Sequence, residues 1–220
     1  MNLNIPEPCS SCGGKCCNRF AVPITHLDVM RLAEHTGKEP IEFCRLEDSQ
    51  NISKNPYPKV FVENEHGKLV EKMLVLKRTK TEWCVFFARS NGCTVHQGRP
   101  MVCRTYPFSL FSEFAKEKGI GSKRLEKILN AFAPKAKSAD ISGEKAAGEV
   151  YYTMNTACPR RWEKEEFSIG DVMSDLKMQE EQLKKYWKVA NEWNAKRRKE
   201  VKPGFEEFLE FAVGKAKEEK

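Results

Sequence analysis

Four cysteines crowd into nine residues, Cys9-Ser10-Ser11-Cys12-Gly13-Gly14-Lys15-Cys16-Cys17. Packing has no use for that density, whereas thiolates converging on a thiophilic ion require it. The two glycines let the backbone fold around a bound ion and turn amide N–H groups toward sulfur. C-x2-C alone is a weak signal, but C-x2-C-x3-C-C points to metal binding. A thioredoxin-like pair should follow a strand, and Ile5-Pro6-Glu7-Pro8 leaves no room for one before Cys9. Covalent haem needs histidine directly after the second cysteine, where Gly13 stands. The ferredoxin run C-x2-C-x2-C-x3-C-P is missed by one residue at Cys16, although Cys158-Pro159 matches its last step. Phosphate cradles fail as well. Glu149 occupies the lysine position of the Walker-like Gly143 to Gly148, and Gly119-Ile120-Gly121 lacks a third glycine.

A second group of thiols follows: Cys84, then Gly92-Cys93-Thr94-Val95-His96, then Arg99-Pro100-Met101-Val102-Cys103-Arg104-Thr105-Tyr106-Pro107-Phe108. Pro100 suits the first position of a short helix, which would put Cys103 in a first turn whose N–H groups favour negative sulfur. Arg99 and Arg104 would add positive charge beside it. Tyr106-Pro107 is a candidate cis peptide. Cys158 is the expected closing ligand from far along the chain. Cys44, beside Ile41 and Phe43 on an expected short helix, reads as a buried free thiol. His96 reads as a surface or supporting histidine before a nitrogen ligand, and His26, His35 and His66 have no ligand spacing.

Together, Cys9 to Cys17, Gly92-Cys93 and Arg99-Pro100-x-x-Cys103-Arg104-x-Tyr106-Pro107-Phe108 resemble the YkgJ-type cysteine-cluster family, a zinc- or iron-chelating domain often called an iron-sulfur-cluster-containing protein. The resemblance spans roughly residues 9–160. It implies eight metal- and cofactor-binding positions: Cys9, Cys12, Cys16, Cys17, Cys84, Cys93, Cys103 and Cys158. The leading cofactor is an iron-sulfur cluster of the 4Fe-4S type with a redox or cluster-dependent role, favoured over zinc by that family description, by the ferredoxin-like spacing with Cys158-Pro159 and by N–H and Arg donors that suit cluster sulfur. The alternatives are a structural zinc module that presents a surface to a protein partner, and an enzyme like flagellin lysine N-methylase, a larger relative. No S-adenosylmethionine motif supports the last, and no catalytic residue can be picked. Eight thiols could make two four-thiolate sites or one cluster with spare thiols; the adjacency of Cys16 and Cys17 makes a single tetrahedral site shared by both awkward.

The elements that must position these residues are those of an α+β protein. At 220 residues, with 40% hydrophobic and 31% charged side chains, the chain can fill one real core. Its net charge of +7 is too mild to name nucleic acid as a partner. No apolar run approaches the roughly 18 residues of a membrane span. Met1 to Cys9 contain no secretory core, so the chain is expected in the cytoplasm, where nine cysteines are read as metal ligands before disulfides. All nine precede residue 160, and residues 1–159 hold 23 basic and 17 acidic side chains against 15 and 14 beyond. That division predicts a cysteine-cluster domain over 1–165 and a helical extension over 166–220 packed on it.

Within the first part, Thr25 to Asp28 form a capping box opening a helix that carries Leu27, Met30, Leu32 and Ala33 and ends at Gly37. A short helix is expected from Pro40 to about Glu47. A hairpin over 59–78 should turn at His66-Gly67, and Trp83 to Phe87 should form a strand, with Asn91-Gly92 setting Cys84 and Cys93 on opposite arms of a loop. An amphipathic helix over 122–137 and a strand over 150–154 lead to Cys158. After Gly170 the stripe Val172, Leu176, Leu183, Tyr186, Trp187, Ala190 and Trp193 predicts a helix of nearly thirty residues, with Lys196 to Lys199 as a solvated face. Phe205, Phe208, Leu209 and Ala212 mark a final helix with a fraying polar tail.

Overall fold

The computed structural model describes residues 13–48, 56–89, 92–106, 108–111, 151–154, 169–196 and 203–219; Cys9, Cys12, Pro107, Cys158 and the helix expected over 122–137 lie outside them. Helix α1 (Lys15–Arg19) is followed by α2 (His26–Thr36), α3 (Pro40–Phe43) and strands β1 (Cys44–Asp48), β2 (Val60–Glu63) and β3 (Leu69–Leu76). Then come the two-residue strands β4 (Phe87–Ala88) and β5 (Gly92–Cys93), helix α4 (Met101–Thr105), strands β6 (Phe108–Phe111) and β7 (Tyr151–Met154), and helices α5 (Ile169–Lys196) and α6 (Phe205–Glu218). The mixture of small antiparallel sheets and helices is the expected α+β class.

Helix α2 is bounded as its sequence demands. The Thr25 side chain accepts from the Asp28 N–H at 3.1 Å, Asp28 accepts from the Thr25 N–H at 2.9 Å, and Gly37 closes the helix in the left-handed region at φ +67°. Its buried face is Val29 and Leu32 together with His26 and Asp28, while Leu27 and Met30 are only half-buried.

Helix α3 stops at Phe43, four residues short of its expected end. Cys44 to Asp48 instead form β1, antiparallel to β3 from Cys44 opposite Leu76 to Asp48 opposite Lys72. The predicted hairpin is β2–β3, in register from Val60 opposite Lys72 to Glu63 opposite Leu69. Asn64 organises its turn by accepting from the N–H groups of His66 and Lys68. β3 is central in the order β1-β3-β2, so its inner half, Met73 to Leu76, is buried throughout, whereas β2 alternates. Where β2 ends, Val22 to Ile24 continue alongside β3, with Leu76 N–H donating to Val22 O at 2.9 Å and Ile24 N–H to Leu74 O at 3.1 Å. Trp83 to Phe87 do not form the expected strand. Only Phe87 and Ala88 pair, with Cys93 and Gly92, and Cys84 makes an isolated bridge to Arg78. The strand predicted before Cys158 is β7, paired with β6.

Helix α5 runs 28 residues, about 42 Å at 1.5 Å per residue. Its inward stripe is Leu176, Gln179, Leu183, Tyr186, Val189, Ala190 and Trp193; Trp187 departs from the expected stripe and is exposed. Trp193 and Asn194 hydrogen-bond the backbone of β2: Asn194 accepts from Phe61 N–H at 2.9 Å and donates to Lys59 O at 3.0 Å, and Trp193 Nε1 donates to Phe61 O at 3.0 Å. Trp187 Nε1 donates to Pro56 O at 2.9 Å, and Glu63 N–H reaches Pro203 O at 3.0 Å. In α6, Phe208 is fully buried against the edge of Trp193, at 5.3 Å between ring centroids. The polar tail does not fray before Glu218, because Glu219 reaches the buried His26 Nε2 at 3.3 Å and Lys185 Nζ at 3.0 Å. Each large apolar side chain buried in this way contributes about 1.5–3 kcal/mol. No helix of the described residues is long and apolar enough to cross a membrane.

Candidate metal centre

Gly13 and Gly14, at φ +63° and +65°, turn the chain into α1, which carries Cys16 and Cys17 at successive positions. Glycine is required at 14 on two counts. A side chain resists the left-handed backbone, and a Cβ would stand 2.2 Å from the Phe87 ring, itself stacked on Trp83 at 4.6 Å. The Cys17 carbonyl accepts from the Cys84 N–H at 2.7 Å, stitching the first thiol segment to the second. Pairing of β4 with β5 brings Cys93 opposite Phe87, and Thr94 secures this loop by donating from both N–H and hydroxyl to Phe86 O. Pro100 sits just before α4, and its carbonyl accepts from Cys103 and Arg104, so Cys103 lies in the first turn as its sequence predicts.

Five of the eight expected thiols therefore come together from three segments: Cys16 and Cys17, Cys84 and Cys93, and Cys103. They are close enough for their charges to act on one another. Sγ of Cys16 lies 4.0 Å from Sγ of Cys17. The Cys17 thiol stabilises a Cys16 thiolate and brings Cys16 down to about 7, while the same contact, then burial and neighbouring thiolates, push Cys17 far up. Burial raises Cys84 to about 11 and pushes Cys103 well above the ordinary thiol range. The Arg99 charge works against the effect of burial at both Cys16 and Cys103. The Arg99 guanidinium also donates to His96 Nε2 at 2.5 Å, so His96 supports that arginine. Arg104 pairs with Asp175 at 2.9 Å. Cys44 is apart from the cluster, fully buried in the core.

The six described cysteines form no disulfide. Among the described residues no three His, Cys, Asp or Glu side chains stand ready to hold an ion, and Cys9, Cys12 and Cys158 lie outside them. The donor set nonetheless fits a thiophilic metal. Burial and neighbouring thiolates penalise the bare thiolates of Cys17, Cys84 and Cys103, and a bound cation would cancel that penalty by taking the protons' place. Sequence reasoning missed the residues that hold Cys103 in place. Asp28 was legible as a cap, but its Oδ1 also accepts from the Met101 N–H at 3.0 Å, and nothing local marks Gln179 on α5 as a partner of Thr105.

Residues 8–159 match the CxxCxxCC family, described as a "putative zinc- or iron-chelating domain". The family's name spells two residues between its second and third cysteines; this chain has three, Gly13-Gly14-Lys15, and the first two of them are left-handed. No curated protein and no solved structure gives a significant match. With more than half of its length inside that pattern, the chain belongs to the CxxCxxCC family of metal-chelating cysteine-cluster domains.

Proposed function

We propose that the chain holds an iron-sulfur cluster of the 4Fe-4S type and serves a redox or cluster-dependent role in the reducing cytoplasm. One observation carries this reading: thiols from three segments gather beside a fixed cation, Arg99, whose charge favours the thiolate form of both Cys16 and Cys103. A cluster with thiolate ligands is anionic, and nearby cations and hydrogen-bond donors stabilise it and set its potential. When bound, such a cluster supplies a site that accepts and returns an electron. The protein would draw the four thiolate ligands of such a cluster from among Cys16, Cys17, Cys84, Cys93, Cys103, Cys9, Cys12 and Cys158, and would shield it under Phe87 and Trp83.

A second reading, a four-thiolate zinc module, has its own observation. Sulfurs each about 2.3 Å from a tetrahedral zinc stand about 3.8 Å apart. The Cys16 and Cys17 sulfurs, at 4.0 Å, are close to that spacing. Purification without oxygen followed by a visible spectrum and metal and sulfide analysis separates the two. Brown protein with iron and acid-labile sulfide is expected; colourless protein with stoichiometric zinc would establish the second reading, and protein without metal would overturn both.

A further inference from the structure

Cys103 rides on α4, a single turn too short to sustain itself. At its start the Cys103 and Arg104 N–H groups both donate to Pro100 O. What fixes it comes from other elements. Asp28, itself fully buried, accepts from the Met101 N–H at 3.0 Å. On the other side, Arg104 Nη2 donates to Asp175 Oδ1 at 2.9 Å, and the Thr105 hydroxyl lies 3.0 Å from Gln179 Oε1. Gln179 Nε2 in turn donates to Tyr57 Oη at 3.2 Å. Asp175 and Gln179 are four apart on α5, so they face the same way on adjacent turns and grip the two residues directly after Cys103. Thr105 is 3% exposed and Gln179 1%, so water cannot replace either partner. The far end of α5 is held by Trp193, which donates to Phe61 O and packs against Phe208, so its placement does not depend on Asn194. The whole helix lies beyond the 8–159 match.

We propose that Asp175 and Gln179 are positioning residues of the thiol centre: from outside the family domain they hold the Cys103 turn in register with the Cys16 and Cys84 segments, so that metal affinity depends on α5. The inference rests on the metal-centre reading above. Neither residue touches the metal. Removing the grip leaves every thiol present but lets one of them wander, so affinity falls while the cysteines available stay the same.

The test uses the full chain, handled without oxygen, with cobalt(II) alone as probe. Chelator competition reads affinity, and the sulfur-to-cobalt charge-transfer band reads how many thiolates are bound. The variants are Asp175→Asn, Gln179→Met and both together, with Asp175→Glu as the rescue and Asn194→Ala as a control at the other end of the same helix. Loss of outer partners of metal ligands costs about 10- to 100-fold in affinity, so the double variant should fall in that range with a weaker charge-transfer band, while Asn194→Ala stays within about twofold of wild type. Asp175→Asn alone, at a partly exposed position, keeps the test open if the double variant does not fold; it should weaken binding, and Asp175→Glu should restore it. Wild-type affinity in folded Asp175→Asn and Gln179→Met, or an equal loss in Asn194→Ala, overturns the inference and leaves the metal centre standing. A wild-type chain that takes up no cobalt overturns the metal centre and this inference with it.

Discussion

Replacing Gly14 with alanine asks two things of the structure that can be separated. The backbone there is left-handed, at φ +65°, which costs a residue with a Cβ about 1–2 kcal/mol. The new methyl would also meet the Phe87 ring at 2.2, 2.5 and 2.8 Å, and that ring cannot simply swing away because Trp83 is stacked on it. Forcing such an overlap into a packed site adds about 1–3 kcal/mol. Gly13 is the matched control: its φ is +63°, but a Cβ there meets nothing within 4 Å, so Gly13→Ala incurs only the backbone cost. For a chain of this size 1 kcal/mol moves the melting temperature by about 2–4 °C. Gly14→Ala should therefore melt about 2–12 °C below Gly13→Ala, the 1–3 kcal/mol difference converted on that scale. The comparison is made by scanning calorimetry at one fixed metal load, since bound metal shifts both curves. Adding Phe87→Leu to Gly14→Ala should recover part of the gap, because it removes the ring the methyl strikes. Equal melting of the two alanine variants, or no recovery from Phe87→Leu, would refute the packing of α1 against β4.

Other expectations follow from single side chains. Cys103→Ser should lose metal, whereas Cys44→Ser should keep it and lose about 1–3 kcal/mol of stability for a hydroxyl in an apolar core; equal metal loss on analysis of the two proteins would break that sorting. Burial holds the His26 imidazole below its ordinary 6.5 against the opposing pull of Glu219 and Asp28. As the pH falls through 6.5 the unfolded chain takes up the proton first, so stability is full above that pH and declines below it, and His26→Gln should flatten this part of the denaturation profile. If the cluster is redox-active, Arg99→Met should lower its reduction potential, since removing a cation disfavours adding an electron to an anionic site; an unchanged potential by voltammetry removes Arg99 from the centre.

What the sequence disclosed was whatever short-range chemistry decides. The capping box of α2, its stop at Gly37, the β2–β3 hairpin and the long α5 all follow from residues within a turn or two of one another. β1 was hidden because Pro40-Ile41-Glu42-Phe43 opens a helix, and only pairing with β3, some thirty residues on, draws Cys44 to Asp48 out straight. Trp187 fitted a helical stripe by spacing yet spends its indole N–H on Pro56, a long-range choice that periodicity does not register. The thiols proposed as ligands stood out by type and spacing, but the residues that pack and bond around them did not. Arg104 was read as a neighbour of Cys103, and it belongs to Asp175, 71 residues away.

The side chains that α5 and its neighbours lend to β2 have a further consequence. β2 is the outermost strand of its sheet, and an outermost strand offers its unpaired N–H and C=O groups to any other extended chain, which is how soluble proteins stack and aggregate. The Asn194 amide behaves there like one peptide unit of a missing strand, giving a hydrogen to Lys59 O and taking one from Phe61 N–H, while Trp193 and the Pro203 carbonyl occupy positions beside it. The helix thus blunts the edge at a cost of two or three side chains instead of a whole strand. A chain cut before Ile169 would keep the thiol segments but bare this edge, and it should associate through β2 even where its cysteines remain reduced.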